Sequence, residues 1–261
     1  MAASKTAPAL RAMKSKGEKI VSVTAYDFTS GAIADSCDVD FILVGDSLGN
    51  VVLGYDTTIP VTLEDIEHHT RATRRGVKNA LLVADLPFGS YQVSPEKAVE
   101  SSIRLVKAGA EAVKLEGAYN EAIAAITKAG IPVMGHVGLT PQSIHSFGGF
   151  RVQGRGSKGE VVQAMACATQ EAGAFAIVLE LVPAELALRI TESLEIPTIG
   201  IGAGPHCDGQ IQVFHDIMGL SPELFRHAKD YVGARGLMVG GLDEYAKDVR
   251  AGKFPSEENS F

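Results

Sequence analysis

Short apolar runs rich in β-branched residues recur along the chain, each followed by an amphipathic stretch. The runs cover 20–25, 40–45, 79–85, 112–116, 131–136, 175–180 and 197–201, with a weaker eighth at 210–215. Near-continuous apolar runs of this length suit strands buried on both faces of a parallel sheet. Parallel strands need crossovers, and the gaps carry helix signals. Ser94-Pro95-Glu96 places a capping serine before a proline at the first helical position, and Ser221-Pro222-Glu223 repeats the device. Thr62-Leu63-Glu64-Asp65 opens a helix that should run to about Arg75, with Gly76 as its stop. Gly109, Gly130 and Gly173 each end a helix just before the next run. The pattern predicts an α/β fold, a (βα)8 barrel. A doubly wound open sheet is the alternative, because the eighth run is weak.

The barrel should take up residues 1–261 as one domain, with a short helix near 8–16 or else a frayed end, and a loose polar tail over 255–261. One connection, from His136 to Glu160, is long and carries Gly148-Gly149-Phe150-Arg151-Val152-Gln153-Gly154-Arg155-Gly156. A mobile lid or a disordered insertion would explain it. The net charge of −7 comes without any basic stripe, which argues against a nucleic-acid partner. Cys37, Cys167 and Cys207 are odd in number and form no C-x-x-C pair, so a reduced, cytoplasmic setting is expected. No apolar run reaches the ~18 residues of a membrane span, and Met1–Met13 lacks the apolar core of a secretory leader.

A barrel of this kind carries its active site at the C-terminal ends of its strands, so the residues that end each run matter most. They are Asp46 and Ser47, Asp85, Lys114 and Glu116, His136, and Glu180. Asp46, Asp85 and Glu116 make a hard-oxygen set that suits Mg²⁺ or Mn²⁺ better than Zn²⁺. Alternatively, each acid caps a helix or pairs with an arginine. Lys114 and Glu116 are two apart, so a strand puts both on one face. Lys114 there could neutralise an anionic substrate, act as a Schiff-base nucleophile, or simply pair with Glu116. Glu180 ends an apolar run and suits a general base; a cap or an arginine pair is its plainer role. His136 could orient a substrate oxygen or be structural. Gly200-Ile201-Gly202-Ala203-Gly204 could be an anion nest, or glycine-permitted close packing.

Several segments together resemble one family. They are Thr24-Ala25-Tyr26-Asp27, Val44-Gly45-Asp46-Ser47-Leu48-Gly49, Ala84-Asp85-Leu86-Pro87-Phe88, Val113-Lys114-Leu115-Glu116-Gly117, Gly135-His136-Val137-Gly138-Leu139-Thr140-Pro141-Gln142, the 148–155 stretch and 199–204. In order and spacing they are similar to the ketopantoate (3-methyl-2-oxobutanoate) hydroxymethyltransferase family. The resemblance implies a TIM barrel of the phosphoenolpyruvate/pyruvate-binding type. It implies transfer of a hydroxymethyl group from 5,10-methylenetetrahydrofolate to 3-methyl-2-oxobutanoate, a step of pantothenate and coenzyme A biosynthesis. It places a Mg²⁺ on Asp46, Asp85 and Glu116, the keto acid on Asp46, Ser47, Asp85 and Lys114, and the proton acceptor on Glu180. It also implies a homodecamer, a pentamer of dimers. A metal-dependent 2-oxo-acid aldolase or lyase would present a similar rim, and a non-catalytic barrel binding an organic anion is the rival from another class.

Overall fold

The computed structural model describes residues 5–261, so the first four positions of the leader reading lie outside the described residues. Eight parallel strands close into a barrel in sequence order. They are β1 (Ile20–Thr24), β2 (Phe41–Val44), β3 (Leu81–Asp85), β4 (Ala112–Lys114), β5 (Val133–Gly138), β6 (Ala176–Glu180), β7 (Thr198–Ile201) and β8 (Gly209–Gln212). The weak eighth run is a strand, as expected, but it is shifted. It begins at Gly209, pairs Ile20 with Gly209, and stops at Gln212. The helices are α1 (Ala7–Lys16), α2 (Phe28–Asp35), α3 (Leu48–Val51), α4 (Leu63–Gly76), α5 (Pro95–Ala108), α6 (Asn120–Lys128), α7 (Ile144–Phe147), α8 (Lys158–Glu171), α9 (Ala184–Ser193), α10 (Phe214–Ile217) and α11 (Ala234–Arg250).

Local chemistry explains most of these limits. Ser94 accepts from the Lys97 N–H and starts α5 at Pro95. Thr62 and Asp65 form a reciprocal capping box at α4. Gly109, Gly130 and Gly173 adopt positive φ where helices end. Two expectations need correction. Gly76 is not a left-handed stop. It belongs to α4, and a Cβ there would sit 2.4 Å from the Phe28 carbonyl oxygen, so glycine lets α2 and α4 touch. Ser221-Pro222-Glu223 starts no helix; the Ser221 hydroxyl donates instead to Asp216 Oδ1 at 2.6 Å.

The chain falls into two compact units, the first ending at Val213 and the second spanning Phe214–Phe261. In the first unit, Phe41, Leu43, Leu81, Val83, Met134, Val178 and Ile199 share a buried cluster. The N-terminal helix forms, capped by Thr6, and α1 adds Ala7 and Leu10 to that cluster. Lys14 anchors it by bonding the Thr191 carbonyl and Asp208, which just precedes β8. That end of the barrel is therefore plugged, and the mouth at the strands' C-terminal ends is left for chemistry. In the second unit, α11 buries none of its residues, and 255–261 is exposed with a 3-10 turn at Glu257–Asn259.

Candidate active site

The strand ends bring the expected residues together. Gly45 ends β2 and turns the chain so that Asp46 and Ser47 face the mouth. A Cβ on Gly45 would lie 3.0 Å from Ser47 Oγ, so the Ser47 hydroxyl would have to shift by a few tenths of an ångström. Asp46, Asp85, Lys114, Glu116 and His136 are all buried. Lys114 Nζ lies 2.6 Å from Asp85 Oδ1 and 3.8 Å from Glu116 Oε1. The Asp46 N–H donates to Asp85 Oδ2 at 3.1 Å. His136 stands between two acids: Nδ1 is 3.4 Å from Glu116 Oε1, and Nε2 is 3.2 Å from Glu180 Oε2. Glu180 keeps 18% of its side chain exposed. Its neighbour is thus an imidazole across the β5–β6 pairing, where Gly138 meets Glu180, and not the apolar lining suggested by its own strand.

Charge within this cluster is strongly conditioned. Burial lifts the Asp46 carboxyl well above its ordinary value, and repulsion from Asp85 and Glu116 lifts it further. Burial also raises Asp85, although Lys114 pulls the other way. Glu116 is held low: burial opposes its charge, but His136, Lys114 and a backbone N–H outweigh it. Burial likewise disfavours the charged forms of Lys114 and His136. Asp85, Glu116 and Asp46 overcome this for Lys114, which is held above its usual value. Glu116 and Glu180 overcome both burial and the nearby Lys114 for His136, which is held at about 9. A lysine kept charged in this way is a poor nucleophile, which supports the electrostatic role over the Schiff base.

Three side chains absent from our list of strand-end candidates complete the site. Tyr26 meets Ser47, hydroxyl to hydroxyl, at 2.8 Å. Gln142 donates to Asp46 Oδ2, and Tyr91 donates to the Gln142 side-chain oxygen at 2.8 Å. Tyr26 and Gln142 stand inside segments that carried the resemblance, so a signal existed. Tyr91, on the loop after β3, had none. The long connection after β5 is ordered in its first half, with a 3-10 turn at Pro141–Ser143 followed by α7. The 200–204 glycines lie in a packed turn: a Cβ on Gly204 would come within 2.5 Å of Ala184 in α9, and the Gly204 carbonyl accepts from Gln210.

The donor set fits a hard divalent cation. Two buried carboxylates, Asp46 and Asp85, are lifted partly by repulsion from neighbouring acids, a condition that a cation relieves. No sulfur ligand belongs to the cluster. Among the described residues, no three of the His, Cys, Asp and Glu side chains form a ready-made cage. Asp46, Asp85 and Glu116, the set expected from the sequence, thus do not converge as a complete cage; a hard ion here would take one or two carboxylates and complete its shell with water or substrate.

A closed parallel barrel with acids, a lysine and a histidine gathered at its C-terminal mouth defines an enzyme of the (βα)8 class. Solved structures share the architecture. A phosphonopyruvate hydrolase in complex with oxalate and Mg++ matches with a TM-score of 0.64 at 17% identity, covering 98% of this chain and 93% of that one. A 2,3-dimethylmalate lyase of the PEP mutase/isocitrate lyase superfamily matches at 0.61 and 18%, covering 98% and 91%. These share the expected (βα)8 barrel fold. The chain belongs to the ketopantoate hydroxymethyltransferase family, whose profile matches residues 4–257, and so to a family of transferases acting on small molecules. The 3-methyl-2-oxobutanoate hydroxymethyltransferase of Moorella thermoacetica is 56% identical, covering 98% of this chain and 97% of its own. The protein of that name from Thermotoga maritima is 52% identical, covering 97% and 94%.

Proposed function

We propose that this chain transfers a hydroxymethyl group from 5,10-methylenetetrahydrofolate to 3-methyl-2-oxobutanoate, giving 2-dehydropantoate and tetrahydrofolate, in pantothenate biosynthesis. The observation that carries the reading is the pairing of a buried Asp46–Asp85–Glu116–Lys114 cluster with a partly open Glu180, His136 lying between them. Asp46, Asp85 and Glu116 would hold a Mg²⁺, with Glu116 oriented by His136 and the Gln142 N–H. The chemistry such an ion supplies is Lewis acidity toward the oxygens of a 2-oxo acid, which eases loss of the C3 proton. Lys114 neutralises the substrate carboxylate, and the Ser47 hydroxyl donates to it. Glu180 accepts the C3 proton on a carboxylate oxygen. His136, whose two ring nitrogens face Glu116 and Glu180, holds Glu180 toward the mouth. The C3 electron pair then forms a bond to the donor's methylene carbon as one of its two C–N bonds breaks. Water displaces the second nitrogen and leaves its hydroxyl on that carbon, and the C3 proton and one water proton end on the two nitrogens of tetrahydrofolate. The 148–156 segment serves as the lid that keeps bulk water out.

We further propose a cytoplasmic homodecamer, a pentamer of dimers. The exposed apolar side chains of α11, namely Leu237, Met238, Leu242 and Tyr245, support association. No helix among the described residues is long and apolar enough to cross a membrane, and Cys37, Cys167 and Cys207 are free thiols.

An assay with both substrates, with and without exhaustive chelation, tests the reaction. Turnover should require both substrates, vanish on chelation and return with Mg²⁺. Full activity after chelation would remove the metal role. Carbon–carbon bond formation or cleavage without the folate would move the chain to the aldolases or lyases.

A further inference from the structure

Gln142 opens the connection after β5, inside its 3-10 turn, and is 3% exposed. Every hydrogen-bonding group it presents to the site is used. Its backbone N–H donates to Glu116 Oε2 at 3.0 Å. Its side-chain NH₂ donates to Asp46 Oδ2 at 2.9 Å and to the Leu86 carbonyl at 3.0 Å. Its side-chain oxygen accepts from the Tyr91 hydroxyl at 2.8 Å and from Gln92 at 3.3 Å. The amide cannot be turned around without loss, because a carboxylate and a carbonyl can only accept. One residue therefore spans the loops after β2 and β4 and fixes an oxygen of each acid.

We propose that Gln142 is the positioning residue of the cation site, setting the orientation of Asp46 and Glu116 for a divalent ion that it does not itself touch. This rests on the metal reading proposed above. Residue type supports it. Asp46 needs a donor to hold one oxygen in place while its other oxygen and its charge stay free for the ion. A lysine or arginine there would supply the donor but neutralise the charge and compete with the cation. A neutral amide orients the carboxylate without replacing the ion. Tyr91 extends the support by one step, its hydroxyl donating to the Gln142 side-chain oxygen and also contacting the Glu116 backbone.

The test is Mn²⁺ binding to the full-length protein without substrate, followed by the electron paramagnetic resonance of the free ion at a temperature where every variant is folded. Gln142→Met keeps the volume and removes both amide functions. Its Mn²⁺ affinity should fall roughly 10–100-fold, the range typical of groups that orient metal ligands. Tyr91→Phe should weaken binding in the same direction by less, since Gln142 keeps its other bonds. Asp85→Asn serves as the control for direct ligation. A merely structural glutamine would lower the melting temperature and leave the affinity of the folded protein alone. Wild-type affinity in Gln142→Met, when Asp85→Asn has lost it, would overturn the role of Gln142 and leave the metal site standing. Failure of the wild type to bind Mn²⁺ would overturn the metal reading and this inference with it. If Gln142→Met does not fold, Gln142→Asn decides, since it keeps a polar amide but withdraws it from Asp46 Oδ2: weakened binding supports the role, and unchanged binding overturns it.

Discussion

Glu180 and Lys114 occupy opposite electrostatic situations within one mouth. Lys114 is sealed among acids and held charged, while Glu180 remains partly open and meets one imidazole edge. A group that must take a proton from carbon needs a path to it, and the open position offers one. Replacing Glu180 by Gln keeps the size but removes the proton acceptor. The variant should lose exchange of the substrate's C3 hydrogen with deuterated water, and turnover with it, by roughly 10²–10⁴-fold. Substrate binding should persist, because Asp46, Asp85 and Lys114 are intact. Exchange at the wild-type rate, followed by proton NMR without the folate, would remove Glu180 from the role. The acids were legible in the sequence because each ends an apolar run, where a charge has to find a reason. His136 as the partner of Glu180 was not legible, since it arises from register between β5 and β6. Gln142 and Tyr91 escaped for a similar reason: both sit on loops, and their bonds depend on where the loops return.

At the scale of single elements, the last residue of α2 does more than end a helix. Asp35 accepts from the backbone N–H groups of Lys78, Asn79 and Ala80 and from the Asn79 side chain. It thereby pins the approach to β3 against the end of α2. Burial opposes its charge, but these donors outweigh burial and hold its carboxyl below the ordinary value. A depressed folded pKa means that the stabilisation is present above the ordinary aspartate value of about 3.9 and fades as pH falls through the lower folded value. Asp35→Ala should therefore cost about 1–2 kcal/mol at pH 7, with the gap to wild type narrowing below about pH 4. Urea unfolding at pH 7 and pH 3 checks this, and an unchanged gap would mean that the charge is not what matters. Helix starts with a reciprocal cap, such as Thr62, were read correctly because the motif is local. Ser221 repeated the Ser94 pattern but starts no helix, because its hydroxyl donates to Asp216 five residues back. Gly76 was misread for the complementary reason: its need for glycine comes from Phe28, a neighbour in space.

For the molecule as a whole, the strand count and order were visible in the sequence, because period and length survive without knowledge of contacts. Phe214–Phe261 forms a compact unit of its own. Its apolar exposure makes a prediction about assembly. Leu242→Glu puts a charge on α11 where little intrachain packing is lost, the residue being 66% exposed. Light scattering should show a smaller particle than wild type with helix content unchanged, and an unchanged mass would place the association surface elsewhere. The closed barrel has a different kind of consequence, one of timing. β1 completes its hydrogen bonding with β8, the last strand to be made. At ~5–20 residues per second, β1 waits on the order of ten seconds or more on the ribosome before its second neighbour exists. Until then both β1 and the newest strand present open edges of the kind that pair with other chains. Newly made protein is thus most exposed to misassembly just before Gly209–Gln212 emerges, and a message truncated ahead of that point would leave that exposure permanent.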